Sequence, residues 1–264
     1  GTGIFVLTGT AAFGGADHLG ARPAIVISFI VTGIACGLAA LCYAEFAAMV
    51  PVAGSAYTYA FSSFGEVFAW IIGWDLILEY AVGNIAVAIG WSGYFNNFLN
   101  FYGIHLPAWL TIDPISVKTA LAAAPGRVSA EALQHAQAAM DSAPNIGFPI
   151  IMNFPAMAIV LLVTFLLIYG VRESAWVNTA LVFLKLVLIG LFLWAGFGHL
   201  DTTVHWQNFA PNGWAGIMTG AALIFFAYIG FDAVSTAAEE SKNPQRDLPI
   251  GMIASLIVCT ILYI

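Results

Sequence analysis

Residues 225–240 read FFAYIGFDAVSTAAEE, a run apolar enough to enter a membrane, yet broken by Gly230 and Asp232. A glycine costs about 1 kcal/mol against alanine inside a helix, and a buried aspartate costs more. Backbone that leaves the helix at membrane depth is tolerated only where protein buries it or where it lines a cavity. The stretch therefore predicts an interrupted helix beside a cavity. Two plainer readings stay open at this point: glycine also serves helix packing in membranes, and Asp232 also fits the end of a shorter helix.

The rest of the chain has the same character. Of 264 residues, 61% are hydrophobic and 8% charged, against about 25% charged in soluble domains. Mean hydropathy is +0.92. Several runs exceed ~18 apolar residues and none alternates like an outer-membrane barrel strand, which predicts an all-α integral membrane protein. The net charge of −7 comes from scattered acids without a basic cluster, so no nucleic-acid partner is expected. Cys36, Cys42 and Cys259 lie in apolar runs at no metal or disulfide spacing, and the histidines show no ligand spacing either. No metal and no cofactor are expected. The chain opens on GTGIFVLTG and stops within TILYI, and is expected to be part of a longer protein.

Apolar runs and their breakers predict seven membrane segments, at about 4–13, 24–50, 67–99, 151–169, 175–197, 214–238, and from Pro249 onward. Pro23 and Pro51 flank the second segment at positions a helix tolerates. The aromatic, small-residue stretch 51–66 suits a short interfacial helix. A polar region, 100–150, holds much of the remaining charge and one predicted short helix, 129–143, capped by Ser129 with Glu131 in its first turn. All seven segments fit one membrane domain, 1–264. Arg172, Lys242 and Arg246 outnumber Arg22 near helix ends, which places the 170–174 and 239–248 loops in the cytoplasm and the 100–150 region outside it.

A second break stands at Gly1-Thr2-Gly3, in the first segment. Breaks in segments one and six are what two inverted five-helix repeats would give, with the substrate between them. The amides at one break and the carbonyls at the other would suit a zwitterion.

Lys185 is the one charge in ALVFLKLVLIGLFLWAGF (180–197). An ammonium near the middle of a membrane helix costs roughly 2.5–3.5 kcal/mol on insertion scales. It lies about 10 Å from the near end of its segment at 1.5 Å per residue, so snorkelling is one reading. The other is a lysine shielded from water that exchanges its proton near neutral pH. Glu45, Asp75 and Glu79 are further intramembrane acids. Asp75 and Glu79 share a helix face. Glu79 suits gating or coupling as well as a structural hydrogen bond, and Glu45, near a helix end, reads as structural.

These motifs, in this order, resemble the amino acid–polyamine–organocation (APC) transporters. GTGIF (1–5) is similar to the family's first helix, YAE (43–45) with PVAGSAY (51–57) to its second helix and following loop, and GW (73–74) with LEY (78–80) to its third. FFAYIGFDAVSTAAEESKNPQRDLPIG (225–251) resembles the sixth helix and loop of the cationic amino acid transporter branch. The likeness spans nearly the whole chain and is least in 100–150. It implies a fragment of a five-plus-five inverted-repeat bundle of the leucine-transporter type, running from the second half of helix 1 into helix 7. Helices 8 and 10, which complete the site in this fold, would lie beyond it. It further implies a substrate carboxylate at the amides of Gly1, Thr2, Gly3 and Ile4, and an α-ammonium at the carbonyls of Phe226, Ala227 and Ile229, with Gly230 and Asp232 alongside. Because Asp232 would repel a substrate carboxylate, its expected work is to cap the lower half of helix 6 or to bias selectivity toward positive side chains. In sodium-independent members a helix-5 lysine occupies the place of a bound sodium ion, so the resemblance assigns proton coupling to Lys185, with Glu79. The expected function is a proton-coupled amino acid carrier in a cell membrane, its partners an amino acid, a proton and the bilayer. A channel would need a polar ring along a water path, and an intramembrane enzyme would need a nucleophile–base pair or metal motif. The segments supply neither.

Overall fold

The computed structural model describes residues 3–15, 18–123, 128–145, 147–168, 175–198 and 208–264. The described chain is helical apart from isolated bridges. A π-helical turn, Gly3–Leu7, leads into α1 (Thr8–Phe13). Then come α2 (Ile25–Met49), α3 (Ser55–Phe64), α4 (Glu66–Phe101), α5 (Pro114–Ala122), α6 (Ala130–Ser142), α7 (Phe154–Ile168), α8 (Ala175–Phe197) and α9 (Gly213–Tyr228). A 3-10 helix, Asp232–Glu240, precedes α10 (Pro244–Tyr263).

Among the described residues five helical stretches are long and apolar enough to cross a membrane: Arg22–Met49, Glu66–Phe101, Thr179–Phe197, Gly213–Glu240 and Pro244–Tyr263. The other two predicted segments appear as the shorter apolar helices Gly3–Phe13 and Phe154–Phe165. At 1.5 Å per residue α4 is about 54 Å long, more than the ~30 Å hydrocarbon core requires. Large side chains such as Phe183, Phe192 and Trp194 stand exposed on α8, as a helix surface in lipid requires.

Two compact units divide the chain. The first comprises Thr2–Val87 and Ala210–Ile264. In it α2 packs against both α9 and α10. Phe29, Cys36, Ala40, Ile224, Tyr228 and Leu256 form one buried cluster, and Ala47, Tyr59, Ala238, Leu248 and Met252 belong to another. Small residues bring α2 and α9 close: a Cβ on Gly220 would meet the Ala21 Cβ and the Ser28 Oγ at 2.9 Å each. Two hydroxyls one helical turn apart then bind the facing helix. Ser28 Oγ donates to the Ile217 carbonyl at 2.8 Å, and Thr32 Oγ1 to the Ala221 carbonyl at 3.0 Å. This is the membrane idiom of small residues for approach and hydroxyls for adhesion.

The second unit covers Ala88–Phe209. Its buried cluster, Val117, Ala120, Ala136 and Ala139, joins α5 to α6. The cap expected at Ser129 is present, its Oγ accepting the Ala132 amide at 3.2 Å with Glu131 in the first turn. Helix α5 was not expected. Asp113 caps it by accepting the amides of Ile115 and Ser116 at 3.0 and 2.9 Å, and Pro114 fills its first position.

The last helix starts earlier than expected, at Pro244, with Pro249 inside it. Pro244 needs no amide partner at a helix start, and Asp247 reaches back to accept the Asn243 amide at 3.2 Å. The Pro249 ring therefore falls in the second turn instead of opening the helix.

Candidate functional site

Gly3, the described residue of the first predicted break, meets Ala227, just ahead of the second, within the first unit. Gly1 and Thr2 lie outside the described residues. Gly3 is buried at the head of the π-helical turn, and Ile4 beside it is half-buried. The Gly3 backbone presses on Ala227: a Cβ at Gly3 would stand 2.3 Å from the Ala227 Cβ and 2.6 Å from its Cα. No side chain fits there.

Across the contact, α9 ends at Tyr228. Ile229 turns extended with ψ 131°, and Gly230 takes φ 109°. Open space surrounds the position a Gly230 Cβ would take, so glycine is needed for its backbone angle alone. The chain then resumes as the 3-10 helix, where the hydroxyls of Ser235 and Thr236 bind the carbonyls three residues back, at Asp232 and Ala233. The last carbonyls of an α-helix lack intrahelical partners. One of them is engaged here: the Tyr263 hydroxyl of α10 donates to the Ala227 carbonyl at 3.1 Å. A carbonyl oxygen has two lone pairs, so one remains for a ligand. Phe226, Ile229 and Gly230 are half-buried.

Asp232 is 5% exposed. Its Oδ2 accepts hydrogen bonds from Ser55 Oγ at 3.3 Å and from the Tyr80 hydroxyl at 3.5 Å. Through these bonds its carboxylate ties the 3-10 helix it opens to α3 and α4. Ser55 holds a φ of 50°, a value rare outside glycine, asparagine and aspartate, and it is buried at 2% exposure. Tyr43 stands edge-on to both Phe231 and Tyr59, at 5.6 and 5.8 Å between ring centroids. Burial is the larger influence on the Tyr59 hydroxyl and raises its pKa, with Ser235 acting in the opposite direction.

Ser55, Tyr80 and Tyr263 were not singled out from the sequence. No local pattern marks a hydroxyl whose partner lies 177 residues away, as Asp232 does from Ser55. Glu79, next to Tyr80, is half-buried, while Asp75 and Glu45 are exposed. Lys185 lies on α8, in the second unit, and is exposed. The structure thus gathers Gly3, Ile4, Phe226, Ala227, Ile229, Gly230 and Asp232 in one unit, without Lys185. Among the described residues no group of three or more His, Cys, Asp or Glu could hold a metal ion.

Long apolar helices, one of them interrupted at Ile229–Gly230 with the start of another pressed against its end, define a multi-pass helical membrane protein. Comparison with known proteins makes the class specific. The family pattern described as amino acid permease matches residues 1–264, and the chain belongs to that family, one of transporters and not of enzymes. It is 48% identical to the branched-chain amino acid permease BcaP of Bacillus subtilis (strain 168), over 100% of this chain and 49% of that protein. It is 44% identical to the methylthioribose transporter of the same organism, over 100% of this chain and 50% of that protein. It is 34% identical to cationic amino acid transporter 4 of Homo sapiens, again over 100% of this chain but 37% of the relative. The chain therefore spans half or less of the length of these curated relatives.

Proposed function

We propose that the full-length protein is a secondary active, proton-coupled amino acid transporter with a five-plus-five inverted-repeat bundle. Its substrate's α-carboxylate binds amides within residues 1–4, and its α-ammonium binds the carbonyls of Phe226, Ala227 and Ile229. The observation that carries this reading is the contact of Gly3 with Ala227, which sets a helix start against a helix end. Amide-rich and carbonyl-rich ends carry partial charges of opposite sign, and a zwitterion presents the complementary pair.

Backbone groups recognise what all α-amino acids share, so side-chain choice falls to other residues. The relatives' names span branched-chain amino acids, cationic amino acids and methylthioribose. Asp232 accepts both hydroxyls at Oδ2 alone, so its carboxylate keeps acceptor capacity for a cationic side chain, and cationic as well as neutral amino acids are candidate substrates. Lys185 and Glu79 carry the coupling proton, and the membrane is the cell membrane, with loops 170–174 and 239–248 inside.

The experiment is uptake into proteoliposomes holding the full-length protein, with leucine, lysine and methylthioribose as labelled substrates. Saturable leucine uptake driven by an inward proton gradient is expected. Uptake of methylthioribose alone would refute the zwitterion reading.

A further inference from the structure

Described residues between Ile89 and Asn153 line a half-open cavity of about 580 Å3, within the roughly 300–1,000 Å3 range of small-molecule sites. It shares no residue with the helix breaks. Its wall takes Asn97 and Asn100 from the end of α4, His105 and Thr111 from the segment that follows, Asp113 at the cap of α5, and His135 from α6. Among the described residues no lysine or arginine lines it.

Each of the two imidazoles has one ring nitrogen engaged by a neighbour. His105 Nδ1 lies 2.9 Å from the Asn100 side-chain oxygen. An amide oxygen only accepts, so Nδ1 carries the proton and Nε2 keeps a lone pair. His135 Nε2 lies 3.0 Å from Thr111 Oγ1. Thr111 Oγ1 also lies 3.1 Å from the Ala108 carbonyl; with the hydroxyl proton donated there, the hydroxyl accepts from His135 Nε2–H. That leaves the lone pair of His135 on Nδ1. In its neutral form each ring then keeps one acceptor nitrogen, on the side opposite its neighbour. Asp113 adds a negative charge while both its oxygens are held by Ile115 and Ser116.

We propose that this cavity binds a primary ammonium group, as carried by α-amino acids and small amines. An ammonium has three donors and no acceptor, the complement of two bare imidazole nitrogens and amide oxygens beside a carboxylate. An anion would meet that carboxylate with no cation to offset it. A metal ion finds too few ligands, since no three His, Cys, Asp or Glu side chains group among the described residues.

The test uses full-length protein labelled with 15N-histidine in detergent at neutral pH, with His105→Gln and His135→Gln assigning the signals. The probes are 3-methylbutylamine, which lacks the carboxylate required at the helix breaks, and 4-methylpentanoate, which lacks the ammonium. The amine is expected to shift His105 Nε2 and His135 Nδ1 saturably, and the carboxylate to leave both in place. Thr111→Val, which unlocks His135, should weaken the amine titration about tenfold. Unmoved signals with the amine, or equal shifts with both probes, would overturn the proposal. Because the amine cannot satisfy the helix-break site, failure of the transport reading would leave this result standing.

Discussion

Gly3 and Ala227 touch so closely that a β-carbon on Gly3 would lie 2.3 Å from the Ala227 Cβ and 2.6 Å from its Cα. The second figure is a backbone contact, so no rotamer relieves it. Gly3→Ala must push the two helix breaks apart. Overpacking of this kind costs typically about 1–3 kcal/mol, and a lower thermal midpoint with lost amino acid binding is expected of the full-length variant. Adding Ala227→Gly removes the Cβ contact but leaves that to Cα, so it should rescue only partly. Wild-type binding in Gly3→Ala would show that the contact is not needed.

Ser55→Ala and Tyr80→Phe each remove one of the donors to the buried Asp232 carboxylate. Leaving a buried acceptor short of partners costs about 1–3 kcal/mol. Each variant should melt earlier in detergent, measured by thermal unfolding of the full-length protein. Ser55→Gly should melt above Ser55→Ala by about 1 kcal/mol, because glycine accepts the positive φ that alanine resists. Asp232→Asn should change substrate preference more than maximal rate in competition uptake.

The staple between α2 and α9 predicts a smaller effect. Removing Ser28 Oγ or Thr32 Oγ1 frees the Ile217 or Ala221 carbonyl, each already bonded along its own helix. Hydroxyl bonds between membrane helices average about 0.6 kcal/mol. Ser28→Ala and Thr32→Val should each lower the unfolding free energy by about that much, and the double variant by nearly the sum. A loss of several kcal/mol from either would show that the hydroxyl has another role.

Helix extents were legible wherever apolarity alone decides them. Expected segment 175–197 coincides with α8 and 24–50 nearly matches α2. The interruption of segment six was legible because Gly230 and Asp232 are both out of place in a membrane helix. Less legible were features set by short polar motifs: Asp113-Pro114 is a cap followed by a first-turn proline and signalled α5, while Asp247 moved the start of α10 back to Pro244. The pairings of Asp232 with Ser55 and Tyr80 left no trace in the sequence, since tertiary packing alone brings them together. The same holds for Tyr263 and Ala227, 36 positions apart.

Lys185 supplies the test of coupling. Its neighbours three and four residues away, Leu181, Val182, Leu188 and Ile189, are apolar, so nothing on its own helix pairs with it. Full-length Lys185→Ala should bind amino acid yet lose accumulation driven by a proton gradient. Wild-type uptake should be indifferent to sodium. Sodium-dependent uptake would return Lys185 to a snorkelling role.

The central claim is that the two helix breaks hold both charged ends of one α-amino acid. The direct measurement is competition against labelled leucine uptake by the full-length protein, using 4-methylpentanoate and 3-methylbutylamine, each missing one of those ends. Both should compete at least 100-fold more weakly than leucine, since each leaves one set of backbone groups unpaired, at about 2.7 kcal/mol. Competition by either analogue at the strength of leucine would contradict the account.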